Sequence, residues 1–317
     1  MHTRLGFIGA GKQAREHARA AQALGAEVIL TAVTSKTSEN IEGFQSKDGF
    51  LYNNDSANGW ELLLKESDLD AIIVAVPWDV TPEIFQELLN CPLPMLIEKP
   101  VLLGRQKVPI TEPHANKIIG FNRRFYDTVS LLKAHVAHQT LKSATVTISE
   151  HIPAIVNRHS EKIIPHLWET HCAHILDLMT FIFGPLVVKT AHRYTEPDFT
   201  SVAATLETVD GCPIHLTVNN DDPSPVGIRT RFTNGETWVL SPIEQLTTFK
   251  GVEVIPADRD NPIRKYVGRT ASTFWEKSPL KPGVYEQMDA FLHGQTSEAA
   301  TIDDCFLLQK LINALRG

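Results

Sequence analysis

The sequence predicts an α/β fold with two domains, and two observations lead to that prediction. From residue 3 to about residue 121, short apolar runs alternate with amphipathic helical stretches, a pattern typical of parallel βαβ units. After residue 121, two-residue turn signals separate paired β-type runs, as in antiparallel hairpins. We therefore expect a doubly wound parallel sheet in domain 1–121 and, in domain 122–317, an α/β domain with a large, open, mainly antiparallel sheet.

Composition narrows the class of protein. The chain has 317 residues and a formal net charge of −7, with 43% hydrophobic and 21% charged residues. These proportions are typical of globular proteins and exclude a disordered or fibrous chain. No membrane-length apolar run and no signal-peptide pattern are found, and a mildly acidic chain has no long-range attraction for nucleic acid. We expect a cytoplasmic protein that binds a small molecule, with neither nucleic acid nor membrane as a partner.

Five apolar runs predict the strands of the first domain, at residues 5–8, 28–30, 71–76, 95–97 and 117–119. The run at 71–76 has no polar residue, which is typical of a strand covered by helices on both faces. Residues 14–24 and 82–89 show helical patterns. Thr81 is placed to cap the second of these helices, and Pro82 lies in its first turn.

The second domain opens with a helix, a strand and a long helix, at residues 127–138, 144–149 and 167–183. Asp210-Gly211 and Asn234-Gly235 are then signals for two hairpins. Their strands are residues 203–209 with 214–218, and residues 228–233 with 236–240. Residues 256–282 show no periodicity, so we expect a long loop or arm there, before closing helices near 284–292 and 303–315.

A glycine motif, Gly9-Ala10-Gly11-Lys12-Gln13-Ala14, follows the first strand and opens the first helix. In that context Gly9 permits a tight turn, Gly11 lets a pyrophosphate approach the backbone, and Ala14 allows close helix packing. The helix N-terminus, with Lys12 and Gln13, faces the phosphates. A plain glycine turn is the alternative, but the flanking strand and helix favour a dinucleotide site.

The end of the second strand distinguishes the two nicotinamide cofactors. NAD-binding domains of this kind carry an Asp or Glu there, which accepts hydrogen bonds from the adenosine ribose. Here the segment reads Val33-Thr34-Ser35-Lys36-Thr37, without an acidic residue before Glu39. Ser35 and Lys36 can bind a 2′-phosphate, which a carboxylate would repel. We therefore expect NADP, with NAD as the alternative; Lys36 could instead be a solvated loop charge.

One lysine is placed to act on a substrate oxygen. Glu98-Lys99-Pro100 leaves a strand at the carboxyl edge of the sheet, where open α/β sheets bind ligands. Lys99 could hold a carbonyl oxygen as a cation or exchange a proton with it. By itself, this tripeptide is more often a surface turn.

The long helix of the second domain carries a polar face. His166, Thr170, His174 and Asp177 are spaced 4, 4 and 3 residues apart. His174, with Asp177 one turn later, could be an oriented imidazole that passes a proton near neutral pH. A hydrogen-bonded packing histidine is the alternative. Residues 170–174 show no recognised ligand spacing, so we expect no metal site.

Taken in order, the motifs resemble those of one family. They are Gly9-x-Gly11-x-x-Ala14, Val74-Ala75-Val76-Pro77, Glu98-Lys99-Pro100, Gly120-Phe121-Asn122-Arg123-Arg124-Phe125 and His174-Ile175-Leu176-Asp177 followed by Gly184. Their order and spacing resemble the Gfo/Idh/MocA family of NAD(P)-dependent oxidoreductases nearly end to end. The resemblance implies an N-terminal Rossmann domain, a C-terminal domain whose open sheet is often used in dimers, and oxidation or reduction of a sugar, cyclitol or related hydroxyl.

The resemblance also implies roles for individual residues. Lys99 and His174 match the family's catalytic lysine and acid/base histidine. The loop beside the nicotinamide ribose is matched by Val76, Pro77 and Trp78, and Glu98 is grouped with the cofactor-binding residues. The implied substrate-binding residues are Arg124, Tyr126, Thr170, His171 and Asp177. For Arg124, a structural salt bridge is the alternative.

Two features depart from the family pattern. Many members carry an Asp four residues before the histidine, where this chain has Thr170, and a hydroxyl cannot supply the charge of a carboxylate. Glu169 or His171 could only partly replace it, because each projects about 100° away around a helix. The interval 100–120 is also short and contains Pro109 and Pro113, so we expect one edge of the first domain to be trimmed.

These observations support one leading hypothesis, an NADP-dependent dehydrogenase or reductase that acts on a sugar-like hydroxyl or ketone, in a homodimer or homotetramer. Relatives with an N-R-R-F-Y segment suggest a nucleotide-linked or amino sugar of a bacterial surface-polysaccharide pathway. Thr170 keeps a second hypothesis open, a cofactor-sensing regulatory or scaffold protein without catalysis. A third is a lyase or glycosidase that uses NAD transiently.

Overall fold

The structure is a computed structural model that describes residues 3–32, 50–52, 59–104 and 116–317. The chain forms two compact units. The first contains residues 1–125 and 278–309, and the second contains residues 126–277 and 310–317. Residues 105–115, which include the edge expected to be trimmed, lie outside the described residues.

A six-stranded sheet forms the centre of the first unit. Its strands are β1 (Arg4–Ile8), β2 (Glu27–Ala32), β3 (Phe50–Tyr52), β4 (Ala71–Val74), β5 (Met95–Ile97) and β6 (Lys117–Ile119). Neighbouring strands are parallel, in the order β3-β2-β1-β4-β5-β6. This is the strand order of a Rossmann fold, so the predicted doubly wound sheet is confirmed. β4 is buried along its whole length, as its unbroken apolar run predicted.

In the described connections between these strands lie three helices: α1 (Lys12–Ala23), α2 (Gly59–Leu63) and α3 (Thr81–Asn90). The buried face of α1 is formed mainly by alanines, which allow the helix to lie close to the sheet. The prediction that Thr81 caps α3 is wrong. Thr81 is already helical, and its buried hydroxyl makes no hydrogen bond within the described part of the chain. Pro82 lies in the first turn, as predicted.

Lys117, in β6, is a buried cation of the first unit. Its ammonium donates hydrogen bonds to the carbonyl oxygens of Cys91 (2.8 Å) and Leu93 (2.7 Å) and to Oδ1 of Asn116 (3.1 Å). Burial lowers the pKa of Lys117. Because Cys91 directly follows α3, the lysine ties the end of that helix to the edge strand of the sheet.

An eight-stranded sheet forms the centre of the second unit. Its strands are β7 (Leu141–Glu150), β8 (Val187–Thr195), β9 (Thr200–Glu207), β10 (Pro213–Asn220), β11 (Gly227–Phe232), β12 (Glu236–Leu240), β13 (Gln245–Ile255) and β14 (Lys265–Trp275). The order is β14-β13-β12-β11-β7-β10-β9-β8; β7 and β10 pair in parallel and the other neighbours are antiparallel. The predicted antiparallel sheet and both of its hairpins are confirmed. Gly211 and Gly235, in the hairpin turns, have positive φ.

The second unit contains the helices α4 (Asp127–His138), α5 (Ile152–His159) and α6 (Ala173–Phe183). α4 precedes β7, and α5 and α6 lie between β7 and β8. A 3₁₀ segment (Glu161–His166) and a π-helical turn (Trp168–Cys172) lie between α5 and α6. The predicted α-helix over 167–183 is therefore wrong in its first part. It ends at Gly184, with φ +77°, as predicted.

The expectation of a loop or arm over residues 256–282 is wrong for residues 265–275. These residues form β14, which pairs with β13. Almost every residue of β14 is exposed, so no buried face imposes alternation on its sequence. That is why the strand left no period-2 pattern to detect.

Residues 278–309 return to the first unit. Here α7 (Val284–Leu292) packs on α1, and Val284, Met288 and Phe291 join the apolar core around α1 and β1. The last helix, α8 (Ile302–Arg316), begins in the first unit and ends in the second. The predicted domains, 1–121 and 122–317, do not include this return of the chain to the first unit. A helical pattern in the sequence does not show which sheet the helix packs on. The assignment of cofactor to one domain and substrate to the other stays a prediction.

Candidate active site

The turn after β1 can be formed only by glycine at position 9. Gly9 has φ +110°, a backbone conformation that L side chains rarely adopt. A Cβ at this position would lie 2.2 Å from the carbonyl oxygen of Ala75, just beyond β4. The glycine turn therefore packs directly on the chain just beyond the neighbouring strand.

The N-terminus of α1 is open. Gly11 is its N-cap, no side chain caps the helix, and no acidic residue lies in its first turn. A Cβ on Gly11 would meet no atom of the described residues within 4 Å. Free amide groups and the positive end of the helix dipole therefore face a space that no described residue fills, an arrangement that favours a phosphate group. Ala14 is fully buried and brings the helix close to the sheet.

A cationic cavity continues along α1. Lys12, Arg15, Glu16 and Arg19 line a volume of about 300 Å³. Arg15 Nε lies 3.5 Å from the carbonyl oxygen of Ala10, in the glycine turn. Three cations against one carboxylate give this surface an excess positive charge, which favours an anion.

The predicted cofactor loop lies at the same edge of the sheet, because parallel strands end together. Val76 and Trp78 are half-buried and Pro77 is exposed, between β4 and α3. The carbonyl of Pro77 accepts a hydrogen bond from the amide of Val80 (3.0 Å), which turns the chain into the helix. Ser35 and Lys36, on which the NADP prediction depends, lie outside the described residues.

Glu98 and Lys99 follow β5 at this edge. Lys99 is half-buried, whereas Glu98 is 8% exposed. Oε1 of Glu98 accepts a hydrogen bond from Nε2 of Gln13 and lies close to Nε2 of His17, both at 2.8 Å. Two predicted cofactor-binding side chains, Gln13 and Glu98, are thus bound to each other.

Two functional candidates were missed by sequence reasoning, His17 and Lys281. His17 lies four residues after Gln13 and therefore shares its helix face, a signal that could have been used. Lys281 donates a hydrogen bond to Oε1 of Gln13 (2.7 Å) from a segment without periodicity, so no local signal pointed to it. Burial alone would raise the pKa of Glu98, but the hydrogen bond and charge of His17, with the charges of Lys99 and Lys281, hold it below its ordinary value.

The predicted polar face of the second unit is broken by the π-helical turn. His166 ends the 3₁₀ segment, Thr170 and His171 lie in the π turn, and His174 and Asp177 lie in α6. The expectation that all four spaced residues share one face of a regular helix is wrong, because a π turn closes its rings with i→i+5 bonds. His174 is half-buried and Asp177 is buried.

Thr170 is held by its own turn. Its hydroxyl donates to the carbonyl oxygen of His166 (2.7 Å) and lies 3.0 Å from Nδ1 of His171. Since that hydroxyl proton faces a carbonyl, the hydroxyl oxygen is left to accept from Nδ1–H of His171. The structure therefore brings Thr170 and His171 together.

Glu169 does not supply the carboxylate that Thr170 lacks. It is 3% exposed, and Oε1 accepts a hydrogen bond from Nη1 of Arg316 at 3.3 Å. Beside it, burial, with Glu150 and Glu169, raises the pKa of the Cys172 thiol well above its ordinary value. Both groups belong to the packing of the π turn.

Arg124 forms the structural salt bridge that was the alternative to substrate binding. It is 5% exposed, and its Nη1 donates to Oδ2 of Asp304 at 3.2 Å. The same carboxylate oxygen accepts from the amide of Thr301 (2.8 Å), at the start of α8. Tyr126, also buried, immediately precedes α4 in the second unit.

The described residues were searched for a metal-binding group and for a membrane-spanning helix. They contain no group of three or more His, Cys, Asp or Glu residues arranged to hold a metal ion. No helix within them combines the length and apolar character needed to cross a bilayer.

The sequence model of an oxidoreductase family with an NAD-binding Rossmann fold, Gfo/Idh/MocA, matches residues 3–108. That segment contains the glycine turn, α1 and Lys99. The match covers about a third of the chain, and for residues 3–108 it confirms the predicted resemblance. No curated protein matches the sequence.

Likeness to solved structures extends over the whole chain. A myo-inositol dehydrogenase from Corynebacterium glutamicum is 18% identical with a TM-score of 0.66, covering 100% of this chain and 96% of that one. A 3-ketoreductase from Actinomadura kijaniata, solved with NADP and TDP-benzene, is 16% identical with a TM-score of 0.67 and covers 100% and 97%. A dehydrogenase from Chromobacterium violaceum is 13% identical with a TM-score of 0.71 and covers 99% and 94%. At these identities the likeness establishes the fold.

Proposed function

We propose that the protein is an NADP-dependent dehydrogenase or reductase that acts on a hydroxyl or ketone of a sugar or sugar derivative. One observation carries the proposal: the glycine turn and the open N-terminus of α1 leave space and free amides for a pyrophosphate. The family match over residues 3–108 supports the same reading.

The catalytic residues we propose are Lys99 and His174. A bound nicotinamide would supply or accept the hydride, which leaves one proton to move to or from the substrate oxygen. Lys99, half-buried at the carboxyl end of β5, would hold that oxygen as a cation. His174, half-buried in α6, is the group we propose to exchange the proton.

We propose NADP rather than NAD because positively charged side chains lie beside the N-terminus of α1. Lys12, Arg15 and Arg19 line the cavity beside the phosphate end of α1, where a 2′-phosphate would find cations. Ser35 and Lys36 support the same preference from the sequence. The 3-ketoreductase from Actinomadura kijaniata was solved with NADP, which agrees with this choice.

The substrate class rests on the relatives. One acts on myo-inositol and another is a 3-ketoreductase solved with TDP-benzene, so we propose a cyclic polyol or a sugar, including one linked to a nucleotide. We place Thr170, His171 and Asp177 among its contacts. The assignment of Arg124 to substrate is weakened by its ion pair with Asp304, and we do not retain it.

A homodimer or homotetramer is proposed through the open face of the second sheet. One face of β7 and β10 is buried, whereas the other presents half-buried or exposed side chains such as Thr145, His215 and Thr217. Arg229 and Arg231 are exposed on the adjacent β11. Sedimentation equilibrium of the purified protein measures the state; a monomer at all concentrations contradicts the proposal.

Cofactor binding is the first test. Purified protein is titrated with NADPH and NADH, and nicotinamide fluorescence is recorded for the wild type, Lys36→Asp and Lys12→Met. We expect NADPH to bind more tightly and both variants to lose that preference. Lys65→Met, at an exposed lysine outside the glycine motif, is the matched control. Equal affinity of the wild type for NADPH and NADH, or an NADPH preference that survives in both variants, would contradict the NADP assignment.

Turnover is the second test. Oxidation of NADPH is followed with a panel of keto-sugars, and of NADP with the corresponding polyols. Lys99→Met and His174→Asn should lower kcat by about 10²-fold or more while NADPH still binds. If cofactor binds but no member of the panel is turned over, catalysis loses its support.

A second function is favoured by one observation, the missing carboxylate at position 170. Glu169 is engaged with Arg316, so it does not replace that charge. A non-catalytic protein that senses the cofactor would need the first unit and not the proton chemistry of the second. A stable cofactor-dependent complex with another protein, without turnover, supports this function; turnover abolished by Lys99→Met eliminates it.

A further inference from the structure

Lys281 contacts the glycine motif from a distant part of the chain. Its Nζ donates a hydrogen bond to Oε1 of Gln13 at 2.7 Å, although the two residues are 268 positions apart in sequence. Gln13 lies in the first turn of α1, whose N-terminus has no side-chain cap and no acidic residue. Lys281 precedes α7, in the segment that returns to the first unit. A cation therefore lies one side chain away from the free amides of α1.

The side chain of Gln13 is used at both ends. An ammonium group can only donate, so the oxygen of the amide faces Lys281. The nitrogen then faces Glu98 and donates to its Oε1 at 2.8 Å. The same carboxylate oxygen lies 2.8 Å from Nε2 of the fully buried His17, so this end of the chain of contacts is fixed in the core. Gln13 therefore links Lys281 to the core, and Lys281, an exposed residue, is the end that reaches the surface.

The backbone around Lys281 is held by several contacts. The carbonyl oxygen of Lys281 accepts from the amide of Val284 (3.2 Å), and Nδ2 of Asn122 donates to the carbonyl oxygen of Pro282 (3.1 Å). Gly283, the N-cap of α7, turns the chain with φ +72°. α7 itself packs on α1. The position from which the lysine side chain extends is therefore fixed relative to α1.

The N-termini of α1 and α7 differ in their supply of negative charge. In α7, Oε2 of Glu286 accepts a hydrogen bond from the amide of Gly283 (2.7 Å), so a carboxylate of the chain occupies that helix end. In α1, neither a side-chain cap nor an acidic residue of the first turn does so. An anion held at the end of α1 would be attracted by the helix dipole and by the Lys281 ammonium together.

Other charges around Lys281 favour an anion as well. Desolvation lowers the pKa of Lys281, and the Glu98 and Glu16 carboxylates oppose that shift. The charges of Lys12 and Arg123 lower it further. A phosphate group bound beside these cations would favour their charged forms and offset their repulsion.

We propose that Lys281 is a cofactor-binding residue whose ammonium binds the diphosphate of the nicotinamide cofactor, and that Gln13 positions it. The inference rests on the proposed function for the presence of that cofactor, and it adds a residue from the returning segment to the glycine motif. NADH and NADPH share the diphosphate, whereas Lys36 is proposed to act on the 2′-phosphate of NADPH alone. The two lysines should therefore differ in their effects on the two cofactors.

The test is a titration with NADPH and with NADH, followed by nicotinamide fluorescence at low and at high salt. The proteins are wild type, Lys281→Met, Lys281→Arg and Gln13→Leu. Lys277→Met, which removes the same charge at an exposed lysine four residues earlier, is the matched control. We expect Lys281→Met to weaken both cofactors by the same factor, about tenfold at low salt and less at high salt. Lys281→Arg should keep most of the affinity, and Gln13→Leu should show a smaller loss that is again equal for both cofactors.

Three results would overturn the inference. One is an unchanged affinity for both cofactors in Lys281→Met. The second is an equal loss in Lys277→Met, which would show an effect of net charge and not of a contact. The third is a loss confined to NADPH, which would place Lys281 at the 2′-phosphate.

The wild type separates this inference from the proposed function. If the wild type binds neither cofactor, the proposed function fails and the inference fails with it. If the wild type and Lys281→Met bind both cofactors equally well, the inference alone fails. If affinity falls as expected but no substrate is turned over, the inference stands and the proposed catalysis fails.

Discussion

The glycine turn of the first unit and the buried Glu169 carboxylate of the second unit are held by different means. The glycine turn is fixed by its backbone: Gly9 turns against Ala75, and α1 presents its uncapped N-terminus. Glu169 is fixed by a long-range side-chain pair, since Arg316 binds it from a helix 147 residues later in the sequence. The glycine turn therefore depends on main-chain shape, whereas the buried carboxylate depends on a remote partner.

The largest loss of stability is expected from a substitution at Gly9. An alanine there must adopt φ +110° and place its methyl 2.2 Å from a carbonyl oxygen. We expect Gly9→Ala to lower the free energy of unfolding by about 3 kcal/mol or more. Urea denaturation followed by circular dichroism measures this.

Gly11→Ala is the matched control for that variant. Its φ is −72°, and the new methyl meets no described atom within 4 Å. The free energy of unfolding should stay within about 1 kcal/mol of the wild type, while NADPH affinity falls by about tenfold or more because the methyl occupies phosphate space. Undiminished NADPH affinity would mean that the phosphates do not approach α1 here.

In the second unit the largest effect should come from Arg316→Met. It removes the Arg316 cation from the buried carboxylate of Glu169, so we expect a loss of about 2 kcal/mol in the free energy of unfolding. The full value for a buried pair is reduced because the arginine side chain is 34% exposed. The double variant Glu169→Met/Arg316→Met, which leaves no buried charge, should recover part of the loss. If the losses in free energy of unfolding of the two single variants simply add in the double variant, Glu169 and Arg316 do not stabilise each other.

Lys117 belongs to the first unit, but its contribution to stability comes from its side chain and not from the shape of the backbone. Lys117→Met leaves the carbonyls of Cys91 and Leu93 without their donor, and we expect it to lower the free energy of unfolding by about 1–3 kcal/mol at pH 7.

The pH dependence of that difference has a definite sign. The folded-state pKa of Lys117 is lowered, so between the folded and unfolded pKa values the unfolded chain binds more protons. Stability of the wild type relative to Lys117→Met should therefore rise as the pH rises toward about 10.4. Unfolding curves at pH 7 to 10 measure it, and a falling difference contradicts the burial argument.

The smallest effect is expected at Thr170. Thr170→Val removes the donor to His166 and the acceptor for His171, which should lower the free energy of unfolding by about 1 kcal/mol. Thr170→Ser keeps the hydroxyl and should match the wild type. Should valine and serine behave alike in thermal unfolding, the hydroxyl does not stabilise the π turn.

Much of the fold could be predicted from sequence because its signals are local. The unbroken apolar run of β4, the glycine turn and the Asn234-Gly235 hairpin each depend on a few consecutive residues. β14 was not predicted because neither of its faces is buried. The π turn was not predicted because its residues fit a regular helix pattern equally well.

Sequence reasoning named candidate site residues but not the contacts between them. Glu98 was placed at the right edge of the sheet, but its contact with His17 joins residues 81 positions apart. The pairing of Glu169 with Arg316 is longer still, and it decides that this carboxylate is structural. Periodicity and spacing carry no information on such distances, so these contacts needed the structure.

The discontinuous first unit has a consequence for synthesis on the ribosome. Residues 1–125 emerge first, but α7, which covers part of their apolar core, is made only after residues 126–277. At about 5–20 residues per second, that interval lasts roughly 8–30 s. Throughout it the nascent chain displays the surface on which Met288 and Phe291 will pack. A chaperone that binds apolar segments can therefore act on the first unit before translation ends, since that unit is encoded first but is completed only after residues 126–277 are made.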